Sequence, residues 1–522
     1  MHIEQERPLG CNPWKRHYPY QLTRSSSEKP MKLQKKRPPV DAISRYHLTM
    51  QPTELSTQEP LSVFNQCSPR GYICVVLCFP CDDDRRGDAA LHLRQSLKRL
   101  AQARPLFAGR LENTSDGRVV IRRSSTYDIP FEVRDTEDEG LDYEQLRRKE
   151  FPPGTFIQPR FAIPGLVDSK STSLPVSKVD VAFCRGGLML SIFLQHAITD
   201  GGSLRVFLEA FGNQTRNTYT RLPCDQKLRV STPRSIGVAS NKLSDPSAFK
   251  RLVASCPEYA TLPDLSGPTQ PRMYNTGLPI PDIQRVGKIF VFTTERLHKL
   301  RELIQELNGT SELPTAYMSL ATLVFAHITK ARIETEPIVT GIEASQTASL
   351  WNSVNWRPRA FLGATDNYFG NAVLPAVTRV SREQVNAACY DDGELARLTP
   401  LVKASIDVVD EEYVSRRMAM MSQAPDPRMV GVNYDPRSPE SLCVNTWRHF
   451  GADVEWRIPG VSVSKPDAIR RATGGWGLGT ALILPARADS SRQELFVSLS
   501  VDAMDALCQD ERWMRWVDRV IG

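Results

Sequence analysis

The stretch FLQHAITDGGSL, residues 193–204, places a histidine at the end of an apolar run and an aspartate four residues later. The apolar run before His196 predicts a buried strand. After Asp200, apolar side chains recur at helical spacing, which predicts an amphipathic helix that stops at Gly212. Asp200 is a typical N-cap for this helix. The stretch therefore predicts a strand, a loop that carries His196, and a helix.

His196 is the residue of this loop that can carry out acid–base chemistry. An imidazole has an ordinary pKa of about 6.5, so it can take up a proton at neutral pH and return it. Gly201 and Gly202 follow it and allow a ligand or the backbone to approach closely. A histidine at a strand end can also be structural, and these residues alone leave both interpretations open.

Two other chemistries have less support at His196. His196 and Asp200 are four residues apart, a spacing that suits a metal site on one continuous helix. The glycines indicate that the helix begins only after Asp200, and no third ligand follows at a suitable interval, so we predict no metal. The sequence near His196 contains neither a Gly-x-Ser-x-Gly motif nor a paired cysteine, so covalent catalysis is not supported.

Strands and helices alternate in the first half of the chain. GYICVVLCFP predicts a buried strand, DAALHLRQSLKRLAQARP predicts a helix, and GRLENTSDGRVVIRRS carries an Asp-Gly turn typical of a hairpin. KVDVAFCRGGLMLSIFLQH predicts a second hairpin that turns at Gly186 and Gly187 and delivers His196 at its far end.

The second half begins again with a strand followed by a helix. VGKIFVFTTERLHKLRELIQEL predicts a strand and a helix, LPTAYMSLATLVFAHITKAR a buried helix, residues 381–421 a helical region, and TALILPA and ELFVSLSV late strands. The glycine-rich GGWGLGTALILP, residues 474–485, does not fit Gly-x-Gly-x-x-Gly and precedes a strand, so we predict a loop and not a nucleotide site. The fold class is α/β, with mixed sheets flanked by helices.

Length and charge indicate how the chain is divided. With 522 residues it is too long for one core, and we expect a basic tail at 1–45, a domain at 46–212, a connector at 213–281 and a domain at 282–522. The tail carries ten Lys or Arg against four Asp or Glu, a net +6 of the chain's +7. The rest is nearly neutral, so we expect no nucleic-acid partner. Apolar runs are too short to span a membrane.

The cysteines point to a reducing compartment. Eleven cysteines are an odd number spread along a large chain, which favours free thiols over a disulfide framework. Cys74, Cys78 and Cys81 cluster without a second Cys or His pair, so we interpret them as small strand residues and not as a zinc site. The N-terminal segment has no apolar core of the kind a secretory signal needs. We therefore expect a cytoplasmic protein.

The motifs together resemble a known family. HAITDG resembles the His-x-x-x-Asp-Gly motif of BAHD acyl-CoA-dependent acyltransferases, in the fungal branch typified by trichothecene 3-O-acetyltransferase. RPLFAGRLENTSDGRVVI is similar to the family's Pro-x-x-Ala-Gly-Arg segment, and VNWRPRAFLGATDNYFGNAV to its Arg-x-Arg and Tyr-Phe-Gly-Asn-Ala stretch. The resemblance runs from about residue 50 to the C-terminus.

The family's second signature, Asp-Phe-Gly-Trp-Gly, is degenerate in this chain. Only ADVEWRIPG stands in its place, so its aspartate corresponds to Asp453 or to Glu455. The resemblance implies that this carboxylate is structural and pairs with Arg357 of the Arg-x-Arg segment. Trp456 would replace an aromatic residue of the signature, and we hypothesise that its N–H, or a nearby backbone N–H, binds the oxyanion.

The resemblance implies both a fold and an activity. It implies two chloramphenicol-acetyltransferase-like domains with the active-site channel at their interface. We expect a monomer that binds no cofactor permanently and uses acyl-CoA as a co-substrate. His196 would be the general base and Asp200 its structural support, with Gly201 beside it. The reaction would move an acyl group, most simply acetyl, from acyl-CoA to a hydroxyl of a small terpenoid, alkaloid or polyketide.

Two alternatives remain on the same fold. Peptide-forming condensation domains have two adjacent histidines in this motif, whereas the first position is Gln195 in this chain. A non-catalytic binding protein that has kept the pocket would explain the eroded second signature. The intact His196, Asp200 and Gly201 favour the transferase.

Overall fold

The structure is a computed structural model. It describes residues 57–522 except 115–116, 125, 137–139, 159–160, 162–172, 218–245, 262–282, 337–344, 362–367 and 474. The predicted basic tail and most of the predicted connector lie outside the described residues.

The first half of the described chain combines strands and helices, as predicted. Its strands are β1 (Thr57–Pro60), β2 (Tyr72–Pro80), β3 (Arg110–Asn113), β4 (Val119–Arg123), β5 (Phe131–Asp135), β6 (Leu174–Pro175), β7 (Ser177–Cys184) and β8 (Gly187–Gln195). Its helices are α1 (Val63–Gln66), α2 (Arg86–Ala103), α3 (Tyr143–Arg148) and α4 (Gly201–Arg216).

The second half contains the remaining elements. Its helices are α5 (Pro246–Ala254), α6 (Thr294–Asn308), α7 (Ala316–Thr335), α8 (Arg382–Tyr390), α9 (Asp392–Asp407), α10 (Glu411–Ser422), α11 (Val501–Gln509) and α12 (Glu511–Met514). Its strands are β9 (Tyr259–Thr261), β10 (Arg285–Thr293), β11 (Thr347–Asn355), β12 (Val373–Ser381), β13 (Val430–Val432), β14 (Ser441–Thr446), β15 (Ala468–Arg471), β16 (Thr480–Ile483), β17 (Arg492–Ser500) and β18 (Arg519–Ile521).

The described residues form two large mixed sheets, a four-stranded sheet in the order β1-β4-β3-β6 and the two-stranded pair β13-β9. One large sheet has five strands in the order β15-β2-β8-β7-β5, and the other has seven in the order β12-β11-β14-β16-β17-β10-β18. The hairpin β7–β8 is antiparallel, and a parallel pairing of β5 with β7 makes the first sheet mixed. Strand β15 pairs with β2, so a strand from the second half of the chain completes the first sheet.

Strand β8, which leads to His196, is buried on both faces. Leu190 and Ile192 pack with α2 and α4 on one face, whereas Met189 and Phe193 pack near Phe156 on the other. A strand covered on both faces is apolar along its whole length, because each face must exclude water. This burial explains the unbroken apolar run before His196.

Helix α7 forms the centre of the second half. Its buried residues lie on every side of the helix, as predicted for LPTAYMSLATLVFAHITKAR. Near its end Arg332 is fully buried, forms an ion pair with Glu336 at 2.9 Å and donates to the carbonyl of Pro436 at 2.6 Å. Gly479 of the glycine-rich loop lies against this guanidinium, with a positive φ of 63°. The loop enters β16, as predicted.

Two local predictions are wrong. Helix α4 does not stop at Gly212 but continues to Arg216, and Asn217 ends it in the left-handed conformation with φ of 53°. Gly212 is a packing glycine, because a Cβ there would lie 2.6 Å from Val454. Gly187 is the first residue of β8 and pairs with Cys184, so it is not part of the hairpin turn.

Within the described residues, no helix combines the length and the apolar character needed to cross a membrane.

Candidate active site

The loop that carries His196 is fixed at its start by main-chain hydrogen bonds. The His196 N–H donates to the Gly71 carbonyl at 2.7 Å, next to the start of β2. The Ile198 N–H and the Thr199 hydroxyl both donate to the Gln195 carbonyl, at 3.1 and 2.8 Å. The chain therefore turns sharply at the end of β8, and these hydrogen bonds fix the backbone position of His196.

The imidazole of His196 is partly exposed, with its two nitrogens in different surroundings. Nδ1 is buried. Burial lowers the pKa of His196 below its ordinary value, although the Asp200 carboxylate and Asn371 act in the opposite direction. The ring is therefore neutral at pH 7, and Nε2 is the nitrogen left to face a ligand.

Asp200 is buried and accepts hydrogen bonds from several donors. As the N-cap of α4, its Oδ1 accepts from the Ser203 N–H at 2.9 Å. Arg357 binds both carboxylate oxygens, at 2.8 and 3.1 Å, and the Ala372 N–H donates to Oδ2 at 2.8 Å. Burial alone would raise the pKa of Asp200, but Arg357 and these N–H groups hold it below its ordinary value. The carboxylate therefore anchors the loop and stays ionised.

Arg357 links this anchor to the second half of the chain. Besides Asp200, its guanidinium binds the Gly370 carbonyl at 2.6 Å and lies over the Tyr368 ring at 5.6 Å. The predicted pairing of Arg357 with Asp453 or Glu455 is wrong. The carboxylate that pairs with Arg357 is the one in the histidine motif itself.

Asp453 and Glu455 lie at the surface, with other partners. Asp453 binds Lys465 at 3.2 Å and the Ala488 N–H at 3.0 Å. Glu455 binds Arg216, at the end of α4, at 2.7 Å. Both carboxylates line a cleft of about 390 Å³ on the outer side of α4, and His196 is not among its lining residues. The structure therefore does not bring either carboxylate to the His196 loop.

Trp456, from the second half of the chain, is buried in the hydrophobic core that the first half mainly builds. Its ring packs edge-on against Phe79 and Phe211, at centroid distances of 6.1 and 5.1 Å. Phe211 lies eleven residues beyond Asp200 on α4, a rise of about 16 Å along a helix. The geometry therefore gives no support to Trp456 as the oxyanion donor.

Gly201 is required because an aromatic ring crosses it. A Cβ at this position would lie 1.9 Å from the ring of Phe450. The neighbouring Gly202 faces Arg357, with 3.0 Å between its ideal Cβ and Nη1. The two glycines allow Phe450 and Arg357 to pack against the first turn of α4.

Sequence reasoning missed two buried asparagines beside His196. The Asn371 side chain donates to the His196 carbonyl at 2.8 Å, and Asn65 accepts from Asn371. Asn371 lies in the Tyr-Phe-Gly-Asn-Ala stretch, which was a signal for it. Asn65 belongs to no recognised motif, and only its position in the fold reveals it.

A model of the Transferase family matches residues 40–514. This chain belongs to the Transferase family. The match confirms the predicted resemblance to BAHD-type acyltransferases. Among curated relatives in the family, the trichothecene 8-O-acetyltransferase of Fusarium sporotrichioides is 21% identical over 400 residues, or 72% of this chain and 78% of that protein. Trichothecene 3-O-acetyltransferase TRI101 of the same fungus is 22% identical over 491 residues, or 88% and 95%.

The fold is also that of a solved structure. The crystal structure of TRI101 from F. sporotrichioides complexed with coenzyme A and T-2 matches with a TM-score of 0.70 and 18% identity. The match covers 90% of this Transferase-family chain and 100% of that chain. It confirms the predicted α/β fold class of mixed sheets flanked by helices.

Proposed function

We propose that this chain moves an acetyl group from acetyl-CoA to a hydroxyl of a small secondary metabolite, with His196 as general base. The observation that carries the proposal is the state of the His196 ring. It is partly exposed, its Nδ1 is buried, and burial lowers its pKa, so that a neutral imidazole is available at pH 7. An alcohol is a poor nucleophile at that pH and needs such a base.

The proposed reaction needs one proton acceptor and no acyl-enzyme. The acceptor oxygen attacks the thioester carbonyl carbon while Nε2 of His196 takes the hydroxyl proton. The tetrahedral intermediate then collapses as the carbon–sulfur bond breaks. The imidazolium returns its proton to the sulfur, which leaves an ester, free CoA and a neutral His196. A positioned base of this kind contributes about 10²- to 10⁴-fold in rate.

The relatives support the substrate classes. Both curated relatives are named as O-acetyltransferases of trichothecenes, and the solved structure contains coenzyme A and T-2. We therefore propose acetyl-CoA as the donor and a hydroxylated terpenoid as the acceptor.

The proposal also covers the domains, the oligomeric state and the location of the protein. We propose that 46–212 and 282–522 form two domains with the acceptor channel between them, which the two large sheets support. We propose a monomer, because Arg357 and Asn371 from the second half of the same chain bind Asp200 and the His196 carbonyl. Nine described cysteines are free thiols, which supports a cytoplasmic location.

A non-catalytic binding protein is the alternative suggested by the degenerate second signature. The degenerate signature is weak support for a binding protein, because Arg357 pairs with Asp200, inside the intact histidine motif. Loss of the second signature therefore leaves the anchor of the His196 loop in place. This observation favours the transferase.

The experiment supplies purified full-length chain with acetyl-CoA and a panel of hydroxylated terpenoids and alkaloids. Free CoA and acetylated product are quantified by liquid chromatography with mass spectrometry, because the protein's own thiols would react with thiol dyes. We expect both products only when an acceptor is present. A tight complex without CoA release would instead identify a binding protein.

A histidine substitution tests the assignment of the base. His196→Ala should lower the rate by about 10²- to 10⁴-fold with the fold intact by circular dichroism. His298→Ala is the matched control, because His298 is 54% exposed on α6 and pairs only with Glu302 in the described part of the chain. Full activity in the His196→Ala protein would refute the role of His196.

A further inference from the structure

The single-turn helix α1 places a buried asparagine next to the His196 loop. Ser62 caps this helix, and Asn65 near its end is completely buried. Asn65 is separated from Asn371 by 306 residues, and the two side chains meet in the core. Helix α1 itself is too short to be stable alone, so its tertiary contacts must hold it.

Asn65 presents its side-chain oxygen to the segment that follows Arg357. This Oδ1 accepts from the Asn371 N–H at 2.8 Å and from the Asn371 side-chain amide at 3.2 Å. The Tyr368 hydroxyl lies 3.3 Å away from the same oxygen. One acceptor therefore fixes both the backbone and the side chain of Asn371.

Asn371 passes this constraint to His196. Its amide nitrogen has two hydrogens: one faces Asn65 Oδ1, and the other faces the His196 carbonyl at 2.8 Å. The next residue, Ala372, donates its N–H to Asp200. Asn65 thus fixes the orientation of the Asn371 amide, and the amide in that orientation donates a hydrogen bond to the His196 carbonyl.

We propose that Asn65 is a positioning residue for His196, acting through Asn371. Without the oxygen of Asn65, the Asn371 amide loses the partner that fixes its direction, and the His196 carbonyl loses a fixed donor. The imidazole then moves relative to the bound thioester. This inference rests on the proposed role of His196 as general base.

The test compares two neighbouring amides on the same helix. Asn65→Leu removes the acceptor at similar volume. Gln66→Met is the matched control, because Gln66 is also buried and its amide makes two hydrogen bonds, at 2.7 and 2.9 Å, to the backbone of Val119 on β4. We expect Asn65→Leu to lower kcat by about 10- to 100-fold, the scale for a displaced catalytic group, with KM changed little. Gln66→Met should lose thermal stability but keep kcat.

The pH dependence of kcat distinguishes a positioning role from a loss of stability, because lower stability alone would not shift it. Loosening the loop exposes the imidazole, so in Asn65→Leu the acidic limb of kcat should move up towards the ordinary histidine range. In the part of the chain that the structure describes, the charged groups facing this loop are Asp200 and Arg357, which Asn65→Leu and Gln66→Met leave unchanged. Burial raises the pKa of Tyr368, so that group stays protonated throughout.

A conservative variant completes the design. Asn65→Asp keeps an oxygen that accepts from both N–H groups of Asn371, so it should recover most of the kcat lost in Asn65→Leu. Asn65→Ser, whose hydroxyl is too short to reach Asn371, replaces the leucine variant if that protein does not fold. If the folded variant shows the kcat and pH profile of Gln66→Met, Asn65 has no positioning role. If His196→Ala retains activity, the proposed function itself fails.

Discussion

The His196 loop and the segment Asp453–Trp456 are both predicted from sequence to serve the site, and the structure treats them differently. The loop is held by the Asp200–Arg357 clamp, a buried ion pair between distant parts of the chain. In contrast, Asp453 and Glu455 form surface ion pairs. A degenerate motif thus coincides with solvent-exposed contacts, and an intact motif with buried ones. The difference indicates that the clamp, and not the second signature, fixes His196.

Removal of Arg357 should have the largest effect on stability. Asp200 is buried at 3% side-chain exposure, and breaking a buried pair on one side costs about 3–5 kcal/mol. We therefore expect Arg357→Ala to lower the free energy of unfolding by that amount and to reduce kcat. Urea denaturation measures the first and steady-state kinetics the second. A change below about 1 kcal/mol, the range of surface pairs, would contradict the clamp.

Addition of one methyl group at Gly201 should have the next largest effect. The new Cβ would meet the Phe450 ring at 1.9 Å, and overpacking of this kind costs about 1–3 kcal/mol. Gly201→Ala should therefore lower stability, and combination with Phe450→Leu should restore part of it. Additive losses in the double variant would show that Phe450 is not the obstacle.

The pH dependence of activity compares His196 with His449, which lines the cleft beside Asp453. Burial lowers the pKa of both groups, and at His449 the neighbouring Arg448 and Arg205 lower it further. His196 must be neutral to act as base, so kcat should hold below pH 6.5 and fall only below the lowered pKa. His449→Ala should leave that acidic limb in place. A limb above pH 7 would contradict the lowered pKa of His196.

The smallest effects are expected in the degenerate signature. Exposed ion pairs contribute about 0–1 kcal/mol, so Asp453→Asn and Glu455→Gln should each change stability by less than that and leave kcat within about twofold of wild type. Thermal denaturation and kinetics of the two variants check this. A loss of activity comparable to that of Arg357→Ala would show that the second signature contributes to the active site.

Local features of this molecule could be predicted from sequence because neighbouring residues determine them. The strand before His196 and the N-cap at Asp200 follow from burial pattern and from capping chemistry within twelve residues. The end of α4 was predicted wrongly at Gly212, because a glycine that packs against another segment cannot be told in sequence from a glycine that ends a helix. Its role depends on Val454, which is far along the chain.

Long-range partners could not be predicted in this way. Arg357 and Asp200 are separated by 157 residues and Asn65 and Asn371 by 306, and no spacing rule connects them. The resemblance implied that Arg357 pairs with Asp453 or Glu455, whereas the structure pairs it with Asp200. Identification of that partner required the packing of both halves of the chain.

A double-mutant cycle on the free energy of unfolding tests the clamp most directly. One cycle pairs Asp200→Ala with Arg357→Ala, and the other pairs Glu455→Ala with Arg357→Ala. We expect a coupling energy of about 2–3 kcal/mol in the first cycle and about zero in the second. Coupling of Arg357 to Glu455 that equals or exceeds its coupling to Asp200 would contradict the pairing of Arg357 with Asp200.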